Sequence, residues 1–174
     1  MPDAELEAEF EARLKDTATL AFRVAYGVLR HREDAEDVAQ EAFARAYAAF
    51  RTLRDRERFR AWLVRMTWRL AIDRQRNDRR RLAREQSVDP GPATEDAEDS
   101  AARRERRAHI WQAIEALPER LRIVVLLANI EGHNIREVAK LLGLAEGTVK
   151  SRLFAARRQL AERLQWMGVD LARR

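Results

Sequence analysis

Residues 143–160 read GLAEGTVKSRLFAARRQL, and one face of this stretch is hard to explain as ordinary surface. If the stretch is helical, residues at i, i+4, i+7 and i+11 form an apolar seam of Val149, Leu153, Ala156 and Leu160. The opposite side carries Ser151, Phe154, Ala155 and Arg158, with Lys150 and Arg152 on its flanks. A phenylalanine turned away from the seam, among small and cationic residues, indicates that this face binds something.

The preceding residues extend this helix into a helix-turn-helix. NIREVAKLLG, residues 134–143, predicts a shorter helix capped by Asn134 and stopped by Gly143. A three-residue turn separates the two helices, and small Ala139 lets them approach closely. Val138 and Leu142 complete the apolar side of the first helix. The pattern is moderately specific alone, since any helical hairpin needs similar chemistry.

The outward face of the second helix has the chemistry of a DNA reader. Lys and Arg reach phosphates or guanine edges, Ser bonds to a phosphate or base, and an apolar ring suits a thymine methyl. The candidate DNA-binding residues are Thr148, Lys150, Ser151, Arg152, Phe154 and Arg158. The alternative is that Phe154 packs on the last helical turns near Trp166.

Composition points to an all-α protein. Hydrophobic residues make up 46% of the 174 residues and charged residues 36%, while six Gly and four Pro leave little material for a turn-rich β fold. The absence of Cys excludes disulfides and Cys-ligated zinc. The acidic start MPDAELEAEFEARLK is not a signal peptide, and the longest apolar run, 123–130, is too short to span a bilayer. We therefore expect a cytoplasmic protein without stable membrane insertion.

The charges fall into blocks. Residues 51–84 hold 13 arginines and 4 acids, and residues 102–174 hold 15 basic and 8 acidic side chains. Between them, 85–101 holds 6 acids and no base, and its sequence EQSVDPGPATEDAEDSA reads as a flexible linker. Two cationic blocks suggest two contacts with a polyanion such as nucleic acid, or else two solvated arginine-rich helices. We predict two small helical domains, 1–84 and 103–174, joined by a flexible acidic linker, 85–102.

Three or four helices are expected in the first domain. The first covers about residues 4–29, and the second runs from about Asp34, as its cap, to Phe50. The third runs from about Phe59 to Leu82. Its seam of Phe59, Trp62, Leu63, Met66 and Leu70 predicts a core position.

The third helix also carries a cationic stripe. Spacings of 7, 4 and 7 return four arginines to nearly the same face: Arg58, Arg65, Arg69 and Arg76. Asp73, four residues after Arg69, is placed to pair with it. Beside the stripe, Trp68 either packs against a neighbouring helix or is exposed for stacking on an unpaired base.

At this point the chain resembles a known family throughout. Residues 117–160, LPERLRIVVLLANIEGHNIREVAKLLGLAEGTVKSRLFAARRQL, are similar to region 4 of the extracytoplasmic-function (group 4) bacterial sigma factors. Residues 31–50, HREDAEDVAQEAFARAYAAF, resemble their regions 2.1–2.2, and RFRAWLVRMTWRLAIDRQRNDRRR, 58–81, resembles regions 2.3–2.4. The motifs AEDVAQEAF and GTVKSR, in this order and spacing, make the resemblance specific.

The resemblance implies a promoter-specific initiation factor with three contact surfaces. The polymerase-binding positions, which dock on the β′ clamp helices of core RNA polymerase, are Asp37, Gln40, Glu41 and Phe43. The residues themselves agree, because Asp37, Gln40, Glu41 and Ala44 share one face too acidic for a core. The segment 51–59, RTLRDRERF, and the third helix match the part that opens and reads the −10 element, so the −10 candidates are Arg58, Arg65, Trp68, Arg69 and Arg76. The helix-turn-helix matches the −35 reader. Family members are often held by an anti-sigma factor; no cofactor is implied.

Three positions depart from the family pattern. Arg69 stands where many members carry an Asn that holds a flipped −10 base, which puts the −10 preference in doubt. Ala155 stands where Arg is common, so one −35 contact is expected to be missing. Ala145 replaces the usual Ser cap of the recognition helix, although Glu146 still complements the helix dipole.

Two other classes of protein remain as alternatives. A nuclease would use acids of the second helix as a metal site, namely Asp34, Glu36, Asp37 and Glu41, but of the three histidines only His31 lies near them in sequence. A stand-alone regulator with a similar GTVKSRL helix would bind palindromic DNA as a dimer, without polymerase. Nothing else converges on these acids, which are equally explained as a docking face, and the regulator would need neither that face nor the resemblance of the first half. We therefore expect a non-enzymatic protein without a bound metal.

Overall fold

The computed structural model of the protein describes residues 3–85 and 101–164, and within these two ranges the regular structure is helical, with no strand. The chain divides into two compact units, between residues 93 and 94. The all-α prediction with two small helical domains is confirmed. Residues 86–100 of the expected linker lie outside the described residues. No described helix is long and apolar enough to cross a membrane.

Four helices and a short 3-10 turn make up the described part of the first unit. They are α1 (Asp3–Lys15), α2 (Ala18–Leu29), α3 (Arg32–Phe50), the 3-10 turn (Arg56–Arg58) and α4 (Phe59–Glu85). The single helix predicted for residues 4–29 is wrong, because the chain turns at residues 16–17. The buried Thr17 makes that turn: its hydroxyl donates to the Arg13 carbonyl (2.9 Å) and its N–H to the Leu14 carbonyl (2.9 Å).

The start of α3 also differs from the prediction. The helix begins at Arg32, so its N-cap is His31 and not Asp34. The Asp34 carboxylate lies 2.7 Å from Arg74 of α4 and 3.0 Å from Nδ1 of His31, while the Asp34 N–H is 3.4 Å from that nitrogen. His31 Nδ1 cannot accept a hydrogen bond from the Asp34 N–H and donate one to the Asp34 carboxylate at the same time. The contact with the carboxylate is the shorter of the two, which favours donation to the carboxylate. Asp34 therefore links α3 to α4.

The core of the first unit is a cluster of aromatic rings and alanines. The centroid of the Phe10 ring lies 5.2 Å from that of Phe50 and 5.8 Å from that of Phe59. The Phe50 and Phe59 centroids are 5.5 Å apart, and all three pairs pack edge to face. Such pairs contribute about 0.5–1.5 kcal/mol each beyond the area they bury. Ala21, Ala42 and Ala46 are also buried in this cluster, where their small size lets α2 and α3 approach closely.

The predicted seam of α4 is confirmed as part of this core. Phe59 and Leu63 are buried, while Trp62, Met66 and Leu70 are partly buried and pack against the cluster. Trp68 was also a candidate DNA contact, and here the structure corrects the sequence: its side chain is only 7% exposed. Trp68 packs inside the bundle, with Ile72 buried one turn later, so it is not available to stack on a base.

The described part of the second unit contains four helices. They are α5 (Ala101–Glu115), α6 (Glu119–Val125, continued by a π-helical turn, Leu126–Ile130), α7 (Ile135–Leu142) and α8 (Glu146–Leu164). Pro118 is the N-cap of α6. Arg122, although buried, ties α6 to α5, since its Nη2 donates to the carbonyls of Glu115 (2.7 Å) and Leu117 (3.3 Å).

The helix-turn-helix prediction is confirmed in its details. Asn134 and Glu137 form a capping box: the Glu137 N–H donates to Oδ1 of Asn134 (3.0 Å), and the Asn134 N–H donates to Oε2 of Glu137 (2.9 Å). Gly143 ends α7 in the left-handed conformation, at φ 66° and ψ 39°, which glycine adopts without a Cβ clash. The seam of α8 is buried at all four positions: Val149, Leu153, Ala156 and Leu160. This packing fixes which face of α8 points outward.

Candidate nucleic-acid and protein interfaces

The outward face of α8 presents a cationic surface around an exposed aromatic ring. Phe154 is 71% exposed, and Lys150, Ser151 and Arg158 are exposed as well, whereas Thr148 and Arg152 are half-buried. The alternative partner of Phe154, Trp166, lies outside the described residues. All six predicted residues thus lie on one helix, and five of them fall within its first nine residues. Exposed, uncharged apolar surface flanked by cations suits the major groove of DNA.

The start of α8 has no side-chain cap. The carbonyl of Ala145 accepts from the N–H groups of Thr148 (2.9 Å) and Val149 (3.2 Å), so Ala145 occupies the N-cap position. Glu146 lies in the first turn, where its negative charge complements the helix dipole. The Ser151 hydroxyl donates to the Thr148 carbonyl (3.0 Å) and leaves its oxygen lone pairs free to accept.

A cleft beside α8 brings in cations that the helical seam did not identify. It has a volume of about 560 Å³, and its lining includes Arg136 at the start of α7 together with Lys150 and Arg157 of α8. Glu146 and the half-buried His133 also line it. Arg136 lies on the other helix of the pair, so the periodicity of α8 could not relate it to Lys150. Its position in the first turn of α7, one residue after a capped helix start, was the available signal.

The arginine stripe of α4 is largely open to solvent. Arg58, Arg69 and Arg76 are exposed, and Arg65 is half-buried. Burial lowers the pKa of the Arg65 guanidinium, and the like charges of Arg69 and Arg58 lower it further. Arg58 and Arg69 therefore lie close enough to Arg65 for their charges to act on it. Arg58 also pairs with Asp55 (2.9 Å), whereas Asp73 and Arg69 form no ion pair within residues 3–85, contrary to expectation.

One face of α3 is acidic and exposed. Asp37, Gln40 and Glu41 lie on it, and Glu41 pairs with Arg45 one turn later. Phe43 is different, since it is half-buried and packs against the core cluster. Sequence reasoning missed Tyr47, which is 54% exposed and continues the face seven residues after Gln40. Its edge contact with Phe10 (5.2 Å between ring centroids) fixes the ring at the end of that face.

Three of the four carboxylates that a nuclease would need, Asp34, Glu36 and Glu41, are engaged in ion pairs. Asp34 is bound by Arg74 (2.7 Å), and Glu36 by Arg32 (2.8 Å). Over residues 3–85 and 101–164, no three His, Cys, Asp or Glu side chains are grouped so that they could hold a metal ion.

The chain matches two sequence families. Residues 14–81 match the family described as Sigma-70 region 2, and residues 107–160 match the family described as Sigma-70, region 4. The first match covers α2, α3 and most of α4, and the second covers the helix-turn-helix.

Curated relatives are similar along most of the chain. ECF RNA polymerase sigma factor SigE of Mycolicibacterium smegmatis is 33% identical over 155 residues, covering 87% of this chain and 60% of that protein. ECF RNA polymerase sigma factor SigM of Mycobacterium tuberculosis is 31% identical over 153 residues, covering 87% of this chain and 76% of SigM. The chain thus spans somewhat over half the length of the first relative and three quarters of the second.

A solved structure shares the fold. The sigma factor RpoE from Bartonella quintana, in complex with the anti-sigma factor NepR, aligns over 90% of this chain and 96% of that chain, with a TM-score of 0.63 and 21% identity.

Proposed function

The chain belongs to the extracytoplasmic-function RNA polymerase sigma factors, and from this premise we propose that it binds core RNA polymerase and directs it to promoters through two DNA-reading surfaces. The observation that carries the proposal is the outward face of α8, where Phe154 is 71% exposed among cations on a helix whose opposite seam is buried. Exposure to water does not explain an apolar ring among cations, whereas DNA does: the ring can contact a thymine methyl, and the cations can contact phosphates.

The recognition helix α8 is proposed to read the −35 element. Lys150 and Arg152 reach base edges or phosphates, and Phe154 contacts a thymine methyl. The neighbouring cleft supports this docking, because it adds Arg136 and Arg157 to the cationic surface around Lys150. Each bidentate base contact of this kind contributes roughly 1–3 kcal/mol of discrimination. Ala155 offers no such contact, so we expect less discrimination on its side of the helix.

The stripe Arg58, Arg65, Arg69 and Arg76 is proposed to handle the −10 strand. The pKa of Arg65 is lowered first by burial and then by the like charges of Arg69 and Arg58, so these three cations repel one another in the free protein. An opened, polyanionic strand would relieve that repulsion, so the stripe favours bound DNA. With Trp68 buried, the contact depends on arginine and not on a stacked indole. Arg69, at the position where many relatives have Asn, is expected to shift the preferred −10 base.

The acidic face of α3 is proposed to dock on the clamp helices of the polymerase β′ subunit. Asp37, Gln40 and Glu41 are exposed and have no core role, which supports this assignment. Phe43 is proposed to support the face from beneath, because it packs inward. We further propose an anti-sigma factor as a regulatory partner, because RpoE of Bartonella quintana was solved with such a partner. A cytoplasmic site of action is proposed because the chain matches a family that acts on DNA in the cytoplasm.

A single transcription assay tests the proposal. The purified protein is mixed with core RNA polymerase and a promoter library randomised at −35 and −10, and the transcripts are sequenced. We expect promoter-specific transcripts only when protein and core are both present. Binding to palindromic DNA as a dimer without core would instead favour a stand-alone regulator. Cleavage of the template would favour a nuclease.

A further inference from the structure

Four charged side chains connect α1 to the segment that precedes α4. The Glu9 carboxylate receives Arg13 Nε on one oxygen (3.1 Å) and Arg56 Nη1 on the other (2.5 Å). Arg13 Nη2 donates a further hydrogen bond to the Glu57 carboxylate (3.0 Å). We refer to Glu9, Arg13, Arg56 and Glu57 as the α1 clamp. Two of its members lie on α1, and the other two lie in the 3-10 turn Arg56–Arg58.

The inner part of the α1 clamp is shielded from water. The side chains of Glu9, Arg13 and Arg56 are 27%, 29% and 26% exposed, whereas Glu57 is 86% exposed. Partly buried, charge-assisted hydrogen bonds in a network are stronger than isolated surface pairs. The Arg56 guanidinium also lies 5.2 Å from the centre of the Phe50 ring, which holds it against the core. The Glu9–Arg56 contact is therefore the strongest link between α1 and the turn.

Apart from the clamp, the segment is held by short backbone turns and by Leu53, which packs against the core cluster. Residues 51–58 lie between α3 and α4, and their backbone bonds are short turns: Thr52 to Ala49, Leu53 to Phe50 and Arg58 to Asp55. The segment carries the exposed cations Arg51 and Arg54 and ends at Arg58, the first member of the arginine stripe, whose other members lie on α4. Its position relative to α4 is thus set by α1 together with the packing of Leu53.

We infer that Glu9 and Arg13 are positioning residues for promoter opening: through the α1 clamp they hold residues 51–58, which include Arg58, beside the stripe arginines of α4, in the arrangement that engages the opened strand. The inference rests on the proposed −10 role of that segment. It runs against simple electrostatics, because an acid near a DNA-binding surface repels the phosphates. Removing the Glu9 charge should strengthen DNA binding if only net charge mattered, and should impair opening if the clamp matters.

The test compares two acids on the same helix. Glu9→Gln and Glu11→Gln both raise the net charge by one, but Glu11 is an exposed residue of α1 outside the clamp. Each variant is combined with core polymerase on the promoter most active with wild type in the randomised library, and opening is followed by permanganate reactivity. We expect Glu9→Gln to open on the order of tenfold more slowly, since charge-assisted bonds are lost, and Glu11→Gln to match wild type. Core binding should be unchanged in both.

A second readout separates positioning from folding. Amide hydrogen exchange of residues 52–58 should accelerate in Glu9→Gln, while the amides of α3 keep their protection. Glu9→Asp, which keeps the charge, should recover part of the opening rate. Arg13→Gln, with the exposed Lys15→Gln as its control, repeats the comparison on the basic side in case Glu9→Gln unfolds α1.

The outcomes distinguish the clamp from the proposed function. If Glu9→Gln and Glu11→Gln open the promoter equally fast, or if opening slows without faster exchange in 52–58, the inference is wrong. If wild type with core opens no promoter at all, the proposed function itself fails, whereas a clamp that still restrains 52–58 by exchange would then be purely structural.

Discussion

At the scale of single residues, the aromatic side chains Phe154 and Trp68 lie in opposite environments. Phe154 is exposed between the buried seam residues Leu153 and Ala156, while Trp68 is buried on a helix rich in arginine. Leaving a phenylalanine side chain in water forgoes about 1.5–3 kcal/mol of burial. That unrealised free energy is available to a partner, so the exposed ring marks the surface where binding is expected.

The −35 surface yields the first prediction. Lys150→Ala should weaken promoter binding by about 1–3 kcal/mol at preferred −35 sequences if the lysine reads a base, and evenly across sequences if it touches only phosphate. Phe154→Ala should relax preference at a thymine without changing the charge. The measurement is transcription from a randomised −35 library, with Lys140→Ala as the control that removes the same charge at the end of α7. Identical preferences in wild type and both variants would mean that this face does not read DNA.

Arg122 yields a prediction on stability. It is buried and supplies donors to two carbonyls at the end of α5, so Arg122→Ala leaves those carbonyls unsatisfied. We expect the free energy of unfolding of the second unit to fall by about 2–4 kcal/mol. Arg120→Ala removes an exposed arginine from the same helix and should change it by under about 0.5 kcal/mol. The measurement is urea denaturation followed by circular dichroism, and equal midpoints for the two variants would contradict the proposal that Arg122 ties α6 to α5.

At the scale of secondary-structure elements, the exposed faces of α3 and α4 carry opposite charges. Both helices bury one face in the aromatic cluster and present the other to solvent. The exposed face of α3 is acidic, and that of α4 carries the arginine stripe. Since both outer faces lie outside the core, charge changes on either should alter binding far more than folding.

For α3, Asp37→Arg combined with Glu41→Arg should abolish binding to core polymerase while helicity by circular dichroism stays normal. The only structural loss is the exposed Glu41–Arg45 pair, which contributes about 0.3–0.5 kcal/mol. Glu5→Arg with Glu11→Arg makes the same charge change on exposed positions of α1 and serves as control. Undiminished co-purification of the α3 variant with core would rule out the docking assignment.

For α4, replacing Arg65, Arg69 and Arg76 with Gln should impair promoter opening more than core binding. Fewer phosphate contacts should also make promoter binding less dependent on salt. The control replaces Lys15, Arg32 and Arg60, three exposed cations off the stripe, and removes the same total charge. Permanganate footprints of the melted region report the outcome. Unchanged footprints in the stripe variant would show that these arginines do not handle the −10 strand.

At the scale of the whole molecule, the two proposed DNA surfaces lie in separate compact units. Lys150→Ala changes one unit and Arg69→Gln the other, so their effects on the free energy of promoter binding should add to within about 0.5 kcal/mol. A double-mutant cycle by filter binding of the holoenzyme to the selected promoter measures this. A coupling above about 1 kcal/mol would mean that the two surfaces do not act independently.

The sequence by itself determined the features that depend on local spacing. The seam of α8, the capping box of Asn134 and Glu137, and the left-handed Gly143 follow from residues within one or two helical turns of each other. The outward direction of Phe154 follows as well, because a buried seam fixes the opposite face. These interactions are local, so period and residue type suffice to predict them.

Only the tertiary structure decided the features that depend on contacts between elements. The apolar positions of α1 and α2 continue through Thr17 at helical spacing, so the pattern predicts one helix. The turn at residues 16–17 separates the two, and α1 packs through Phe10 on Phe50 and Phe59, which come from later in the chain. Trp68 is equally suited to a core or to a stacking surface, and the neighbouring helices bury it. The α1 clamp joins residues 47 positions apart, from Glu9 to Arg56. No periodicity within one helix can specify such a contact, because it depends on where the chain returns in space.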